Sequence, residues 1–315
     1  MKPSGCMQCP RQCGCNREET IGFCTQSNTF RIARAAPHFW EEPVISGRSG
    51  SGTIFFCGCN LRCCYCQNSA LLDAKSGIAV TPMQLMALML SLQDAGVHNI
   101  NLVTASHYTE QLIPLLQAVR SHGLEIPVVW NSSAYESVES LRLLDGLVNI
   151  YLPDFKYSSK TTAADYSHAP DYPDAALNAI EEMLRQVGPP QYDENGLMIK
   201  GVQIRHLVLP GHAMESRRAL WMLQNRFGNT FGISIMNQYT PMPQTAGHPK
   251  LSRTVSEKEY DSVIRYALQI GLDRALIQEQ SAASQSFIPD FTLSEEKLEE
   301  VSEKYKKTLA NCKKI

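Results

Sequence analysis

The cysteines of this 315-residue chain are confined almost entirely to its N-terminal part. Eleven cysteines are present, and ten of them precede residue 67. A secreted disulfide scaffold is normally short and carries cysteines along its whole length. Here a long, cysteine-poor segment follows two tight cysteine clusters. This distribution favours metal or iron–sulfur chemistry in a reducing compartment over a disulfide framework.

The second cysteine cluster has a spacing that suits an iron–sulfur cube. Cys59, Cys63 and Cys66 form a C-x3-C-x2-C pattern directly after a short apolar segment. Three thiolates at this spacing can wrap a loop around a 4Fe–4S cluster and bind three of its irons, which leaves the fourth iron open. The alternatives are loosely grouped thiols or a zinc site with Cys57, Cys64 or a distant histidine as the fourth ligand.

The first cysteine cluster offers a second metal site. Cys6, Cys9, Cys13 and Cys24 have the spacing C-x2-C-x3-C…C, and Cys15 is an additional thiol. Four-coordinate zinc and a second iron–sulfur cluster both fit, because each accepts four thiolates. Structural zinc would hold a segment too poor in apolar residues to fold alone, whereas a cluster could relay electrons or bind substrate. Free thiols in a flexible arm are the third alternative.

Strands and helices alternate from Thr53 onwards, which predicts parallel strands joined by crossover helices. The main β/α units number about six, too few for an eight-fold barrel. We therefore predict an α/β fold with an incomplete (β/α)6 barrel, and a doubly wound sheet is the alternative. The expected organisation is a cysteine-rich, loop-rich cap over 1–50, the partial barrel over 51–289 and an amphipathic helix over 290–315. The functional site is expected at the C-terminal ends of the strands.

Several helix starts are indicated by capping residues. Thr81 with Gln84, and Ser256 with Glu259, have the capping-box spacing. Asp174 is predicted to cap a further helix. These three starts place helices after the first, fourth and sixth predicted strands.

Several segments resemble a known family. The C-x3-C-x-aromatic-C pattern, with Tyr65 before the last cysteine, resembles the radical S-adenosylmethionine (SAM) superfamily. The stretch 59–68 is similar to the activating enzymes of glycyl-radical proteins such as pyruvate formate-lyase. A pyruvate formate-lyase activating enzyme-like branch is matched further by the segments 9–13, 41–43, 50–56, 151–157 and 205–211.

The resemblance implies a 4Fe–4S cluster and SAM as cofactors. In the family, reductive cleavage of SAM at the open iron gives a 5′-deoxyadenosyl radical that abstracts a hydrogen atom. The substrate would be a glycine in a partner protein, another peptide or a small molecule, and flavodoxin or ferredoxin would donate the electron. A zinc-binding interaction module and a non-radical iron–sulfur electron carrier are alternatives. The carrier would need Cys57 or Cys64 as a fourth ligand.

Polar residues after the second and third strands are candidate SAM contacts. The glycine-glycine-glutamate turn common in radical SAM proteins is replaced here by residues 104–108, where Ser106 and His107 could contact SAM instead. Asn131 and Ser132 could hold its carboxylate or ribose, or they could cap the loop.

Later strands supply charged candidates. Asp154 and Lys156 are separated by one residue, so both side chains point to the same face of a strand. The pair is similar to an Asp-x-Lys pair that contacts SAM or substrate in the activating enzymes, and a structural ion pair is the alternative. Arg205 could neutralise a carboxylate or form a salt bridge inside the barrel. Gln238 and Tyr239 are weaker candidates after the sixth strand.

Charge and hydropathy limit the partners. The formal net charge is −2 and the isoelectric point is near 6.5, which gives no overall attraction to nucleic acid or to an anionic membrane. No apolar run reaches the roughly 18–20 residues of a membrane span, and the N-terminus has no apolar signal-peptide segment. We expect a cytoplasmic protein.

Overall fold

The computed structural model describes residues 5–272, 274–278 and 289–310. Its strands form one ten-stranded sheet. In chain order the strands are β1 (Phe30–His38), β2 (Ser51–Phe56), β3 (Ile78–Val80), β4 (Ile100–Val103), β5 (Val128–Ser132), β6 (Ile150–Pro153), β7 (Gln191–Tyr192), β8 (Met198–Leu207), β9 (Gly232–Met236) and β10 (Leu276–Ile277).

Helices alternate with these strands along the chain. In order they are α1 (Pro43–Ser46), α2 (Pro82–Asp94), α3 (Thr109–Ser121), α4 (Val138–Arg142), α5 (Lys160–Ser167), α6 (Tyr172–Val187), α7 (Ala213–Phe227), α8 (Glu257–Gln269) and α9 (Glu295–Tyr305). Among the residues described, no helix combines the length and the apolar character that crossing a membrane requires.

The sheet is parallel through its centre and open at its ends. Its strand order is β10-β9-β8-β6-β5-β4-β2-β1-β3, with β7 paired to β8. From β2 to β10 the neighbours on this path are parallel, with helices between them in sequence. This arrangement confirms the predicted incomplete (β/α)6 barrel. The C-terminal ends of the parallel strands therefore meet at one rim.

The antiparallel edge of the sheet was not predicted. β1 pairs with β2, for example Ala35 with Ile54, and its register shifts between Ile32 and Arg34. The sheet thus begins well before residue 50, which corrects our expectation of an irregular cap up to that residue. Alternating hydrophobicity is masked in β1 because charged and small residues interrupt it. The Arg31 guanidinium, for instance, donates to backbone carbonyls of the 75–77 loop.

The helix predictions were confirmed where their signals were local. Both capping boxes, Thr81 with Gln84 and Ser256 with Glu259, are formed. The helix expected to start at Asp174 instead begins at Tyr172 with Asp171 as its N-cap. α5 was not predicted, because its sequence has little amphipathic pattern.

The C-terminal helix is shorter than predicted. α9 spans Glu295–Tyr305, and it buries Leu298, Val301 and Tyr305, the residues expected on one side. It packs against α2. Residues 311–315 of the predicted segment lie outside the described part of the chain.

The end of the barrel opposite to the rim is closed by apolar side chains. Ile45 of α1 packs in one cluster with Val129, Ile150, Leu152 and Met198. Ile150 and Leu152 precede Asp154 on the same face of β6. The polar side chains nearer the rim therefore lie above an apolar layer.

Candidate active site

One cavity at the rim collects most of the predicted site residues. Its volume is about 220 Å³. Its walls come from the cysteine loop after β2 and from the ends of β4, β5, β6, β8 and β9. The lining residues are Cys59, Leu61, Cys63, Tyr65, Cys66, Gln67, Asn68, Val103, Thr104, Asn131, Ser133, Asp154, Lys156, Arg205, Leu207, Met236, Gln238 and Tyr239.

The cysteine loop coils tightly because two residues adopt left-handed backbone conformations. Gly58 has φ 84° and Arg62 has φ 57°. The turn brings the Leu61 amide to 3.4 Å from the Cys59 sulfur, to which it donates. The Cys66 amide donates to the Cys63 carbonyl at 3.2 Å. Cys59, Cys63 and Cys66 consequently all face the cavity.

The three thiols influence one another electrostatically. Burial raises the pKa of the Cys59 thiol, and the neighbouring Cys63 raises it further. Burial, then Cys63, then Cys59, raise the pKa of Cys66 to about 12, while the charge of Lys156 opposes this rise. Neither solvent nor nearby cations stabilise these thiolates enough. A bound metal is therefore needed to replace their protons.

The number of thiols on this wall bears on the kind of metal centre that they can bind. A structural zinc ion takes four protein ligands. Three thiols on one cavity wall suit a 4Fe–4S cube, which three cysteines can hold with one iron left open.

Neither of the cysteines considered as a fourth ligand lines the cavity. Cys57 is fully buried and packs with Ala33, Phe55 and Leu71. Cys64 follows Cys63, but it is not among the lining residues. The wall thus presents three thiols, the number that leaves one iron of a cube open.

Asp154, Lys156 and Arg205 form a buried ion network beside the thiols. Lys156 Nζ and Arg205 Nε each donate to a different Asp154 oxygen at 2.7 Å. Burial opposes ionisation of Asp154, but the charges of Arg205 and Lys156 outweigh it and lower the pKa of this carboxyl. Burial likewise opposes the charge of Lys156, and Asp154 outweighs it to raise the pKa of the ammonium group.

Glu41, which had no predicted role, completes the network, and Glu42 lies beside it. Arg205 Nη1 donates to Glu41 Oε2 at 3.1 Å, and Nη2 donates to Asn131 Oδ1 at 2.6 Å. Asn131 in turn donates to Glu41 Oε1 at 3.2 Å. Glu42 lies nearby with one buried carboxylate oxygen lacking a partner. Burial is the main cause that raises the pKa of Glu42 to about 7, with Arg205 opposing it and Glu41 adding to it.

Tyr65 lies on the cavity wall and is packed among other rings. Its ring makes edge contacts with Tyr157, Tyr166 and Tyr239 at centroid distances of 6.2–6.3 Å. Such edge-to-face pairs are favourable. They fix the position of the loop between Cys63 and Cys66, so Tyr65 supports the cysteines as well as lining the cavity.

Three predicted SAM contacts lie away from the cavity. Ser106 donates to Glu136 at 2.7 Å, and His107 Nε2 is hydrogen-bonded to the Cys57 carbonyl at 2.8 Å. The Ser132 hydroxyl accepts from a loop amide at 3.2 Å. All three side chains are buried. The structure therefore gives them structural contacts, and it places their neighbours Thr104 and Ser133 on the cavity wall instead.

The residues after the sixth parallel strand do reach the cavity. Gln238 and Tyr239 both line it. Gln67, next to Cys66, donates to the Gln238 carbonyl at 3.0 Å and to the Thr240 hydroxyl at 3.3 Å. These bonds tie the cysteine loop to the segment that follows β9.

The N-terminal cysteines lie together outside this cavity, beside the cysteine loop. The Cys13 and Cys15 sulfurs are 3.5 Å apart. The negative charges of Cys24 and Cys6 contribute to raising the pKa of Cys9, after the larger effect of burial, to about 12. The structure thus brings the four predicted ligands and Cys15 into one group.

Comparison with known proteins supports the iron–sulfur assignment. Residues 45–161 match the family described as a 4Fe-4S single cluster domain. This range contains the cysteine loop and the strands from β2 to β6. The match confirms the expected 4Fe–4S cofactor for this part of the chain.

Similar proteins span most of the chain. Over 277 residues it is 28% identical to the uncharacterized protein MJ0674 of Methanocaldococcus jannaschii, covering 85% of this chain and 75% of that protein. Two structures of Streptococcus suis SuiB, one bound to the precursor peptide SuiA and one to S-adenosylmethionine, are each 12% identical to it. They cover 76% and 79% of this chain, with TM-scores of 0.49 and 0.46. This chain spans about half, 51%, of the SuiB chain.

Proposed function

We propose that this chain is a radical SAM enzyme whose 4Fe–4S cluster is bound by Cys59, Cys63 and Cys66. The observation that carries the proposal is the convergence of three thiols with a buried Asp–Lys–Arg network on one cavity at the rim. The match of residues 45–161 to a 4Fe–4S domain supports it. A three-thiol site leaves an iron position for a small molecule, and charged groups beside it suit a zwitterionic one.

The chemistry of such a site is reductive. When bound, the cluster would supply one electron to the sulfonium of SAM, which releases methionine and a 5′-deoxyadenosyl radical that abstracts a hydrogen atom. The chain's own contribution is to hold the cofactors and to exclude water. The apolar layer below the network and the ring cluster around Tyr65 serve the second purpose.

The two cations have different roles: one binds SAM and the other positions neighbouring side chains. Arg205 already donates to three acceptors, Asp154, Glu41 and Asn131. Lys156 donates to Asp154 alone among side chains and lines the same wall as the thiols. We assign Lys156 to the carboxylate of SAM, because its remaining donors are available there. Arg205 holds Asp154 and Asn131 in place.

The proposal extends to the class of substrate. The resemblance to glycyl-radical activating enzymes favours a protein glycine or another peptide as the hydrogen donor, with a flavodoxin or ferredoxin as the electron source. The side chains that would meet such a substrate are the half-buried lining residues Gln67 and Gln238.

The test is spectroscopic. The chain is reconstituted anaerobically with iron and sulfide and reduced with dithionite, and its electron paramagnetic resonance spectrum is recorded with and without SAM. We expect a reduced-cluster signal that SAM shifts, and we expect Cys59→Ala, Cys63→Ala and Cys66→Ala each to abolish it. Cys64→Ala is the matched control and should keep it. A signal that SAM leaves unchanged, or one lost in the control alone, would refute the assignment.

A further inference from the structure

The N-terminal cap is organised around its cysteines. Between residues 5 and 29 the described chain contains neither helix nor strand. Instead, the Cys6 amide donates to the Cys15 carbonyl at 2.9 Å, and the Gly14 amide donates to the Cys6 carbonyl at 3.0 Å. This short pairing sets the two halves of the cysteine segment side by side.

Gly22 lies in the middle of the sulfur atoms. A Cβ atom at this position would be 3.3 Å from Cys15 Sγ, 3.4 Å from Cys24 Sγ and 3.5 Å from Cys13 Sγ. Three sulfurs from different parts of the segment thus face a single point, where the chain has no side chain. Cys9 and Cys24 are buried although the segment has little apolar core.

The same segment is bonded directly to the cysteine loop of the active site. The Cys59 amide donates to the Cys24 carbonyl at 3.2 Å. The Arg11 guanidinium donates to the carbonyls of Asn60 and Leu61, at 2.9 and 3.2 Å, between the first two loop cysteines. It also donates to the Ser167 carbonyl at 2.7 Å. The position of Cys59 therefore depends on the shape of the cap.

We propose that the N-terminal cap binds a second metal centre through four of its five cysteines, which are Cys6, Cys9, Cys13, Cys15 and Cys24. This centre holds the cap and, through the cap, the loop that carries Cys59. Thiolate coordination by zinc or by an iron–sulfur cluster supplies the folding free energy that a segment without secondary structure lacks. The bonds from Cys24 and Arg11 transmit this order to the active-site loop.

Metal content separates the second centre from the first. The variant Cys59→Ala/Cys63→Ala/Cys66→Ala removes the active-site ligands and leaves the cap intact. Purified anaerobically, it should retain either about one zinc or about four irons per chain, as measured by elemental mass spectrometry. Visible absorption tells zinc, which is colourless, from an iron–sulfur cluster, and either result supports the centre. A triple variant without metal would overturn it.

A second variant tests the ligands. Adding Cys9→Ser and Cys24→Ser to the triple variant should remove the retained metal, whereas adding Cys57→Ser, a buried cysteine outside both groups, should not. Retention of the metal after the cap substitutions would overturn the proposal. Because the cap variants could fail to fold, the unaltered chain is measured as well. After full reconstitution, its metal content must be higher than the roughly four irons of one cluster, with the excess present as zinc or as further iron. A total of about four irons without zinc also overturns the proposal.

These measurements use neither SAM nor turnover. A chain that holds the second centre but leaves SAM intact would refute the proposed function alone. A chain that cleaves SAM with a single centre would refute only the present inference.

Discussion

Asp154, Lys156 and Arg205 line the cavity, Glu41 contacts Arg205, and the contacts of these four side chains are unequal. The two carboxylates are balanced by the two cations, so the group is close to neutral when all four are ionised. Arg205 bridges both carboxylates, whereas Lys156 contacts one. Buried ion networks are costly to break, because the remaining partner keeps its charge away from water. The two cations should therefore differ in the effect of their removal.

Replacing Lys156 should weaken SAM binding more than it weakens the fold. Lys156→Met keeps the apolar stem and removes the ammonium donor assigned to the SAM carboxylate. A lost hydrogen bond to a charged group costs about 1.5–3 kcal/mol, which corresponds to a rise in the Kd of SAM of roughly tenfold or more. Equilibrium binding of SAM to the reconstituted chain measures it, with exposed Lys258→Met as the control. An unchanged Kd would remove Lys156 from the binding site.

Replacing Arg205 should weaken the fold itself. Arg205→Met leaves Asp154 and Glu41 buried with fewer partners, so we expect the free energy of unfolding to fall by about 3 kcal/mol. The exposed pair of Arg253 with Glu259 gives the control, since Arg253→Met should cost less than about 1 kcal/mol. Urea unfolding followed by circular dichroism measures both. Equal losses in the two variants would show that the buried network is not a structural unit.

Glu42 should make stability depend on pH. Burial raises its pKa to about 7 in the folded chain, above the value of about 4.3 for an exposed glutamate. The folded state therefore binds the proton more tightly, and stability falls as pH rises from about 4.3 through about 7.

The variant Glu42→Gln removes this penalty. Its advantage in the free energy of unfolding over the unaltered chain should grow by about 2.5 kcal/mol between about pH 5 and about pH 8. Urea unfolding at the two pH values measures it, and Glu139→Gln on an exposed helix position is the control. An advantage that is equal at both pH values would contradict the assignment of a raised pKa to Glu42.

At the scale of elements, the cysteine loop is fixed by its neighbours as much as by its own sequence. It is tied to the cap by Cys24, to the sixth parallel strand by Gln67 and to the ring cluster by Tyr65. Gly58 stands where β2 passes into the loop. A Cβ atom there would lie 2.4 Å from the Cys24 carbonyl oxygen, so the loop and the cap can approach only because this residue is glycine.

Gly58→Ala should therefore displace the loop and lower cluster occupancy. Gly96 is a matched control, because its φ of 82° is close to the 84° of Gly58 but no atom lies within 4 Å of its Cβ position. Both variants have the backbone strain of about 1 kcal/mol, and only Gly58→Ala has the clash. Iron per chain after reconstitution should fall at least severalfold in Gly58→Ala and stay unchanged in Gly96→Ala. Equal iron contents would show that the cap does not position the loop.

Elements with local signals could be predicted, and those that depend on pairing could not. The capping boxes at Thr81 and Ser256 need only four adjacent residues, and both helices begin as expected. β1 becomes a strand because β2 offers it a partner, and its own sequence does not alternate. In the same way, the contact of Glu41 with Arg205 joins residues far apart in sequence, so no local pattern could indicate it.

At the scale of the whole molecule, the fold has one closed and one open end. The alternation of strands and helices runs through most of the chain, so the partial barrel and the position of its rim could be predicted from sequence. The apolar closure by α1 could not be predicted, because a four-residue helix before the first parallel strand has no sequence pattern that indicates where it packs. The result is a cavity with the cysteine loop on one wall and the cap beside it.

Formation of 5′-deoxyadenosine tests the central claim most directly. The anaerobically reconstituted chain is incubated with SAM and dithionite, and the nucleoside is separated and quantified. We expect the unaltered chain and Cys64→Ala to form it, and Cys59→Ala, Cys63→Ala and Cys66→Ala to form none. A chain with a full complement of iron and sulfide that leaves SAM intact would contradict the claim that its three-thiol site is a radical SAM centre.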